Sequence, residues 1–160
     1  GKLRNMTGLY LMNQDKMLLL YRVGSKIVPP SWCSIGGHFE SGELNDAKAC
    51  VLREVYEEAG IEESDMANLT FKYVTLRLKN NEIRQNYYFF AELLNMDLQL
   101  NNCDEGLLEW VEISQVLKRE MPFTAKGVLQ HYLSVGMHDN KIYAGITTDE
   151  QVIFHVLNEF

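Results

Sequence analysis

Cysteine is scarce and unpatterned in this chain: Cys33, Cys50 and Cys103 are odd in number and show no C-x-x-C spacing. That argues against both a disulfide framework and a zinc site. It leaves three reduced thiols of the cytosolic kind, with Cys50 read as small core filler. No apolar run is long enough to span a bilayer and no signal-peptide pattern is present, so a cytoplasmic protein with no membrane partner is expected. Positive charge is in deficit, with 15 Lys and Arg against 22 Asp and Glu and a formal net charge of −7. Without a basic stripe, no nucleic-acid polymer is expected as partner, although a few local arginines can still cradle the phosphates of a small nucleotide. Internal repeats, low-complexity runs and linkers are absent too. What remains is 160 residues, 46% hydrophobic and 23% charged, the composition of one ordinary globular domain over residues 1–160.

The chemistry concentrates in one stretch, Gly36 to Ile61, which reads GGHFESGELNDAKACVLREVYEEAGI. A glycine turn leads into a helix that stops at Gly60, with Asn45 as the candidate N-cap and Asp46 favourable in the first turn. At about 100° per residue, Val51, Leu52, Val55, Tyr56 and Ala59 fall on one arc, and Glu54, Glu57 and Glu58 on the neighbouring one. The first arc is expected to pack, while the second concentrates negative charge. Like charges three and four residues apart each cost a helix about 0.2–0.5 kcal/mol, and a divalent cation would offset that. Carboxylates facing a phosphate-bearing ligand are how Mg²⁺ is usually held. Arg53, one turn before Glu57, can orient a carboxylate without taking a metal position. An acidic helix face alone is most often solvated surface; here the flanking residues change the reading.

Gly36-Gly37, Glu43, Arg53-Glu54-Val55, Glu57-Glu58 and Gly60-Ile61 resemble the signature of the Nudix hydrolases, G-x5-E-x7-R-E-U-x-E-E-x-G-U with U aliphatic, over residues 37–61. Nine residues, Leu44 to Leu52, separate Glu43 from Arg53 where the pattern has seven, which reads as a two-residue insertion near Leu44-Asn45. Whether Glu43 still reaches Arg53, its usual ion-pair partner in the family, stays open at this point, as does the start of the helix. The resemblance implies an α/β fold, the Nudix α/β/α sandwich with a mixed β-sheet. It implies hydrolysis of a nucleoside diphosphate linked to another moiety, with Mg²⁺ or, as a substitute, Mn²⁺. It assigns Gly37 through its carbonyl, Glu54, Glu57 and Glu58 as metal ligands, and Arg53 as the residue that holds the carboxylates. Glu105 is implied as general base or added ligand, with Glu109 as fallback.

Around this box, Met6–Met12 and Lys16–Tyr21 read as strands joined by Asn13-Gln14-Asp15, the second apolar on both faces and so an inner strand. Arg22 ends that strand as a candidate for substrate phosphate, and a loop follows to Pro30. Glu62–Asn68 reads as loop or one helical turn with Ser64 as cap. Phe71–Leu78 and Ile83–Leu93 form a hairpin around Lys79–Glu82. Arg77 and Arg84 flank that turn, where like charges make sense only facing solvent or an anion, so both are substrate candidates. A polar loop, Leu98–Asp104, precedes a strand through Trp110-Val111. Helices are expected over Ser114–Glu120 and Thr124–Val135, the second capped by Thr124 and closed by Gly136. In some nucleotide-cleaving members of the family this region borders the base pocket, which makes Phe123, with Thr124 and Lys126, a candidate contact. A final hairpin, about residues 141–158, extends past the usual core of the family. It would either cover a sheet edge or pair with a second subunit as a homodimer. His38 lies in the glycine turn, and the four histidines share no metal-ligand spacing.

The leading expectation is a Mg²⁺-dependent pyrophosphohydrolase of the MutT-like branch. It would cleave a nucleoside triphosphate, oxidised ones such as 8-oxo-dGTP included, to monophosphate and pyrophosphate. ADP-ribose or a nucleotide sugar is the alternative substrate, because the box reads only the diphosphate. A non-catalytic nucleotide-binding module is the second alternative; such modules commonly have a degraded box, and this one keeps its acidic positions. The partner is in each case a small nucleoside di- or triphosphate derivative.

Overall fold

A computed structural model describes residues 2–23, 29–100 and 106–160. Its frame is one mixed sheet of eight strands. These are β1 (Lys2–Asn13), β2 (Lys16–Arg22), β3 (Ser31–Cys33), β4 (Met66–Lys79), β5 (Glu82–Leu93), β6 (Gly106–Glu112), β7 (Ile142–Thr147) and β8 (Val152–Leu157). They lie in the order β3-β2-β1-β5-β4-β7-β8, with β6 along β2. β1 runs parallel to β5, and β7 to β4. Three α-helices are described, α1 (Ala47–Ala59), α2 (Ile113–Val116) and α3 (Phe123–Ser134).

Strand alternation sorts the side chains into two cores. Leu9, Leu11, Phe89 and Ala91 pack with Val51, Val55 and Ala59 of α1. Their neighbours Tyr10, Tyr88 and Phe90 face the other way, onto Val128, Leu129 and Tyr132 of α3. One helix therefore covers each face of the sheet, the mixed α/β sandwich expected. Leu18 and Leu19 of β2 enter opposite cores, which is why that run is apolar on both faces.

The sheet splits where the glycine turn sits. β1 and β2 pair only from Leu11–Leu18 to Asn13–Lys16; towards the other end they diverge, and the chain leaving β3 crosses the gap. It bonds to β1 through Leu9 N–H to the Ile35 carbonyl (2.7 Å) and Thr7 N–H to the Gly37 carbonyl (2.8 Å). Residues 35–38 thus line a mouth in the sheet, with α1 on one face and α3 on the other.

The hairpin turn at Asn80-Asn81 has both residues at positive φ, 52° and 60°, the primed geometry that matches strand twist. Several expected boundaries move. Asp46, not Asn45, caps α1, accepting from Ala49 N–H at 3.0 Å, because the extra residues near Leu44-Asn45 form a turn ahead of the helix. The turn Glu63–Asp65 is capped by Glu62 rather than Ser64. α2 closes after Val116 instead of running to Glu120. Thr124 is no cap: α3 starts one residue earlier after Pro122, and the Thr124 hydroxyl turns inward to Thr147 Oγ1 at 2.8 Å. The final hairpin, β7 and β8, adds to the sheet at β4, so it covers that strand's edge.

An ion pair with a buried cation fastens this addition. Lys72, left as the extra residue of a β-bulge between Phe71 and Tyr73, is 3% exposed. Its ammonium donates to the Asp139 carbonyl at 2.8 Å and to Asp139 Oδ1 at 2.7 Å. The Tyr143 hydroxyl donates to the other carboxylate oxygen. These bonds hold the Asp139 carboxyl below its ordinary range and push the Tyr143 hydroxyl up to about 12. Removing one partner strands the other's charge, and the Lys72 side chain, 4% exposed, is further from water than that of Asp139 at 22%. Asp139→Asn is therefore expected to lower the denaturation midpoint more than Lys72→Met. Chemical unfolding of both variants checks the order, and a larger loss in Lys72→Met would contradict it.

Candidate active site

Short-range geometry first builds the contact between the glycine turn and α1. A Cβ placed on Gly37 would stand 2.7 Å from the Cδ and Oε1 of Glu54, so only glycine lets that carboxylate lie across this backbone. The Gly36 N–H donates to Glu58 Oε2 at 3.2 Å. α1 ends at Gly60, whose φ of 71° is the left-handed stop.

The helix is rotated from its expected phase. Cys50, Val51, Val55, Glu58 and Ala59 form the buried arc, while Tyr56, placed by periodicity among the packing residues, is 57% exposed. The cause is the glycine turn itself, which gives α1 a second packing partner. Cys50 is fully buried, its thiol 3.4 Å from Thr7 Oγ1 and donating to the His38 carbonyl at 3.7 Å. Burial pushes the Cys50 thiol up to about 11, so it is core filler and not a nucleophile. Glu58 is drawn in with it, leaving Glu57 the most exposed of the three acids at 55%, against 15% for Glu54.

Arg53 ties the site together. The insertion is absorbed by the 3-10 turn Ser41–Glu43 and the Leu44-Asn45 turn, so Glu43 still reaches its partner. The pairing is bidentate, Arg53 Nε to Glu43 Oε2 at 2.8 Å and Nη2 to Oε1 at 3.0 Å. The same guanidinium donates from Nη1 to Glu54 Oε1 at 3.1 Å and Glu57 Oε2 at 3.0 Å, and from Nη2 to the His38 carbonyl at 3.0 Å. These bonds pull the Glu43 carboxyl down to about 2.

The donor set suits a hard cation. Glu54, Glu57 and Glu58 at i, i+3 and i+4 share one helix face with a side-chain-free glycine beneath Glu54, and every donor is oxygen, as Mg²⁺ prefers. With Arg53 bridging Glu54 and Glu57, no three such side chains converge on one point among the described residues. The residues fit the ion in kind, with Arg53 as the internal cation that holds two of them.

Across the mouth, between the sheet and the start of α3, lies a cleft of about 360 Å³. Arg22, Arg77 and Arg84, three of the expected substrate residues, all line it, and so does Arg4, which sequence reading missed. Met6, Tyr88, Pro122 and Ala125 supply apolar wall, Gly36 lines the side towards Glu58, and among the described residues no carboxylate lines the cleft. Phe123 does not line it; with Lys126 it faces a separate groove beside Val152 and Phe154. Glu109 lies on β6 between Leu108 and Trp110, which pack on the α1 side, so it faces away from the carboxylates. Glu105 lies outside the described residues.

The NUDIX domain family model matches residues 2–132, and the chain belongs to the Nudix family of hydrolases, which act on phosphoric anhydride bonds. Among solved structures it is similar to a MutT protein from Bacillus halodurans, with 23% identity, TM-score 0.67, and 96% of this chain and 97% of that one covered. It is also similar to a C. elegans Ap4A hydrolase in a binary complex, with 18% identity, TM-score 0.67, and 87% and 100% covered. A Nudix hydrolase from Nitrosomonas europaea aligns at 17% identity, TM-score 0.69, covering 92% and 80%. At such identities the likeness is one of fold.

Glu43 tests the role of the insertion. Its folded-state pKa of about 2 lies below the usual glutamate value of about 4.3. Its stabilisation is therefore complete above that value and drains as pH falls from about 5 towards 2. Glu43→Gln should cost about 1–3 kcal/mol at pH 7, and the gap to the parent should narrow to roughly half at pH 3, where the folded-state carboxyl is still largely ionised. Urea unfolding at both pH values reads this; an equal gap at both would remove the ion pair from the account.

Proposed function

We propose that the chain is a Mg²⁺-dependent pyrophosphohydrolase that cleaves a nucleoside triphosphate, oxidised ones included, to monophosphate and pyrophosphate. The observation that carries this is the three-carboxylate face of α1, gripped by Arg53 and set across a glycine strand from an arginine-lined cleft. Glu54, Glu57 and Glu58, with the Gly37 carbonyl, would hold the metal. Bound Mg²⁺ supplies charge neutralisation at the phosphate oxygens and lowers the pKa of an attacking water.

The chain's own residues do the rest. Arg53 keeps Glu54 and Glu57 aligned, so that little reorganisation is needed on binding. Arg22, Arg77 and Arg84 attract the anionic ligand into the cleft, and the apolar wall of Met6, Tyr88 and Pro122 gives its uncharged part a place to pack. Glu105 keeps the proposed role of general base, accepting the proton of the water. Phe123 would reach a substrate only by contacts beyond the cleft. The two described cysteines are both free, in keeping with a reducing, cytoplasmic setting, and no described helix is long and apolar enough to cross a membrane.

The test is a panel of nucleoside triphosphates, 8-oxo-dGTP, ADP-ribose and dinucleoside polyphosphates, with Mg²⁺ and with chelator, products identified by mass. Metal-dependent monophosphate plus pyrophosphate is expected. Glu57→Gln should fold as the parent does and lose turnover by several orders of magnitude. Near-parental turnover in that variant would take α1 out of the mechanism, and cleavage of ADP-ribose alone would move the substrate to the nucleotide-sugar class.

A further inference from the structure

Three arginines on three adjacent strands stand in one file. Arg84 of β5 is paired in register with Arg77 of β4 on one side and with Arg4 of β1 on the other. All three share the sheet face of Tyr10, Tyr73 and Tyr88 and line the same cleft. Like charges directly opposite each other destabilise a sheet. Among the described residues, the one carboxylate in ion-pair reach of the file is Glu82, 2.9 Å from Arg84 Nε and 3.7 Å from Arg4 Nη1. Among the described residues Arg77 has no ion-pair partner. In a chain of net charge −7, such a concentration of positive charge is costly unless a ligand answers it.

The place of the file matters as much as its charge. The carboxylates of α1 lie on the opposite face of the sheet, behind the strand at Gly36. The scissile diphosphate, held at those carboxylates, would leave the file to another part of the substrate. Strands spaced about 4.8 Å apart make the file roughly 10 Å across. A neutral base edge can accept hydrogen bonds from arginine, but it brings no charge to offset three cations; a phosphate does both, bidentately.

We propose that the substrate carries a second phosphate group, distal to the scissile diphosphate, and that Arg4, Arg84 and Arg77 bind it. This rests on the pyrophosphohydrolase reading for the position of the scissile group. Two sources share that chemistry: a phosphorylated ribose, or the further phosphates of a dinucleoside polyphosphate. Arg4 also bonds His38 of the glycine turn, Nη2 to Nε2 at 2.8 Å, and the His38 carbonyl accepts from Arg53, so the file and the acidic site are connected through one residue.

Calorimetric binding in chelator, where no turnover occurs, tests the file apart from the metal site. The ligands are guanosine and adenosine 5′-triphosphates, the same nucleotides carrying a 3′-phosphate, and the diguanosine and diadenosine tetraphosphates. At least one doubly phosphorylated class should bind tenfold or more tightly than its parent triphosphate, and which class does so names the source. In Arg77→Gln/Arg84→Gln that ratio should fall to within about threefold of one. The ligand-free variant should melt no lower than the parent, since facing like charges have been removed. A ratio near one in the parent protein, or a ratio unchanged in the double variant, overturns the proposal. Absence of metal-dependent turnover with the binding ratio intact would instead count against the pyrophosphohydrolase reading alone.

Discussion

The guanidinium of Arg53 is the interaction on which the site depends. Its five donors are spread over Glu43, Glu54, Glu57 and the His38 carbonyl, so one planar group sets the 3-10 turn, the glycine strand and the acidic helix face against each other. A lysine could not do this, because a point charge on a flexible stem has no fixed fork. The two inserted residues are tolerated because they form a turn outside this grip.

The second constraint is the split between β1 and β2. A continuous sheet would separate the two faces completely. Here a glycine-bearing strand fills the gap, and backbone with no side chain at Gly37 lets Glu54 close over it. The acidic helix face and the arginine-lined cleft then lie on opposite faces with a single strand between them. In a net acidic protein, that separation keeps the arginines from being neutralised by the helix carboxylates, and it gives the cleft a local sign opposite to that of the whole molecule.

Legibility followed the range of the interactions. Both major hairpins, the inner strand β2 and the stop of α1 at Gly60 came through because alternation and turn residues are local. The phase of α1 did not: periodicity put Tyr56 inside, and packing against the glycine turn put Cys50 and Glu58 there. Thr124 read as a cap because a threonine before an apolar run usually is one, yet Thr147, 23 residues away, offered its hydroxyl a better partner. Arg77 and Arg84 were legible as an odd pair of like charges near a turn. Arg4 was not, since its place beside Arg84 depends on the parallel pairing of β1 and β5, which joins residues 80 positions apart. Phe123 shows the converse: a residue in the right segment whose side chain faces another groove.

The sequence by itself determined the family, the reaction class and the acidic helix face, since these rest on residue types at fixed short spacings along one helix and its flanking turns. Only the tertiary structure decided that Glu43 still reaches Arg53, that Glu58 is buried, and that four arginines from four strands share one cleft. Those outcomes depend on strand register and on how a helix rolls against its neighbours, and both are set by packing energies summed over contacts distant in the chain.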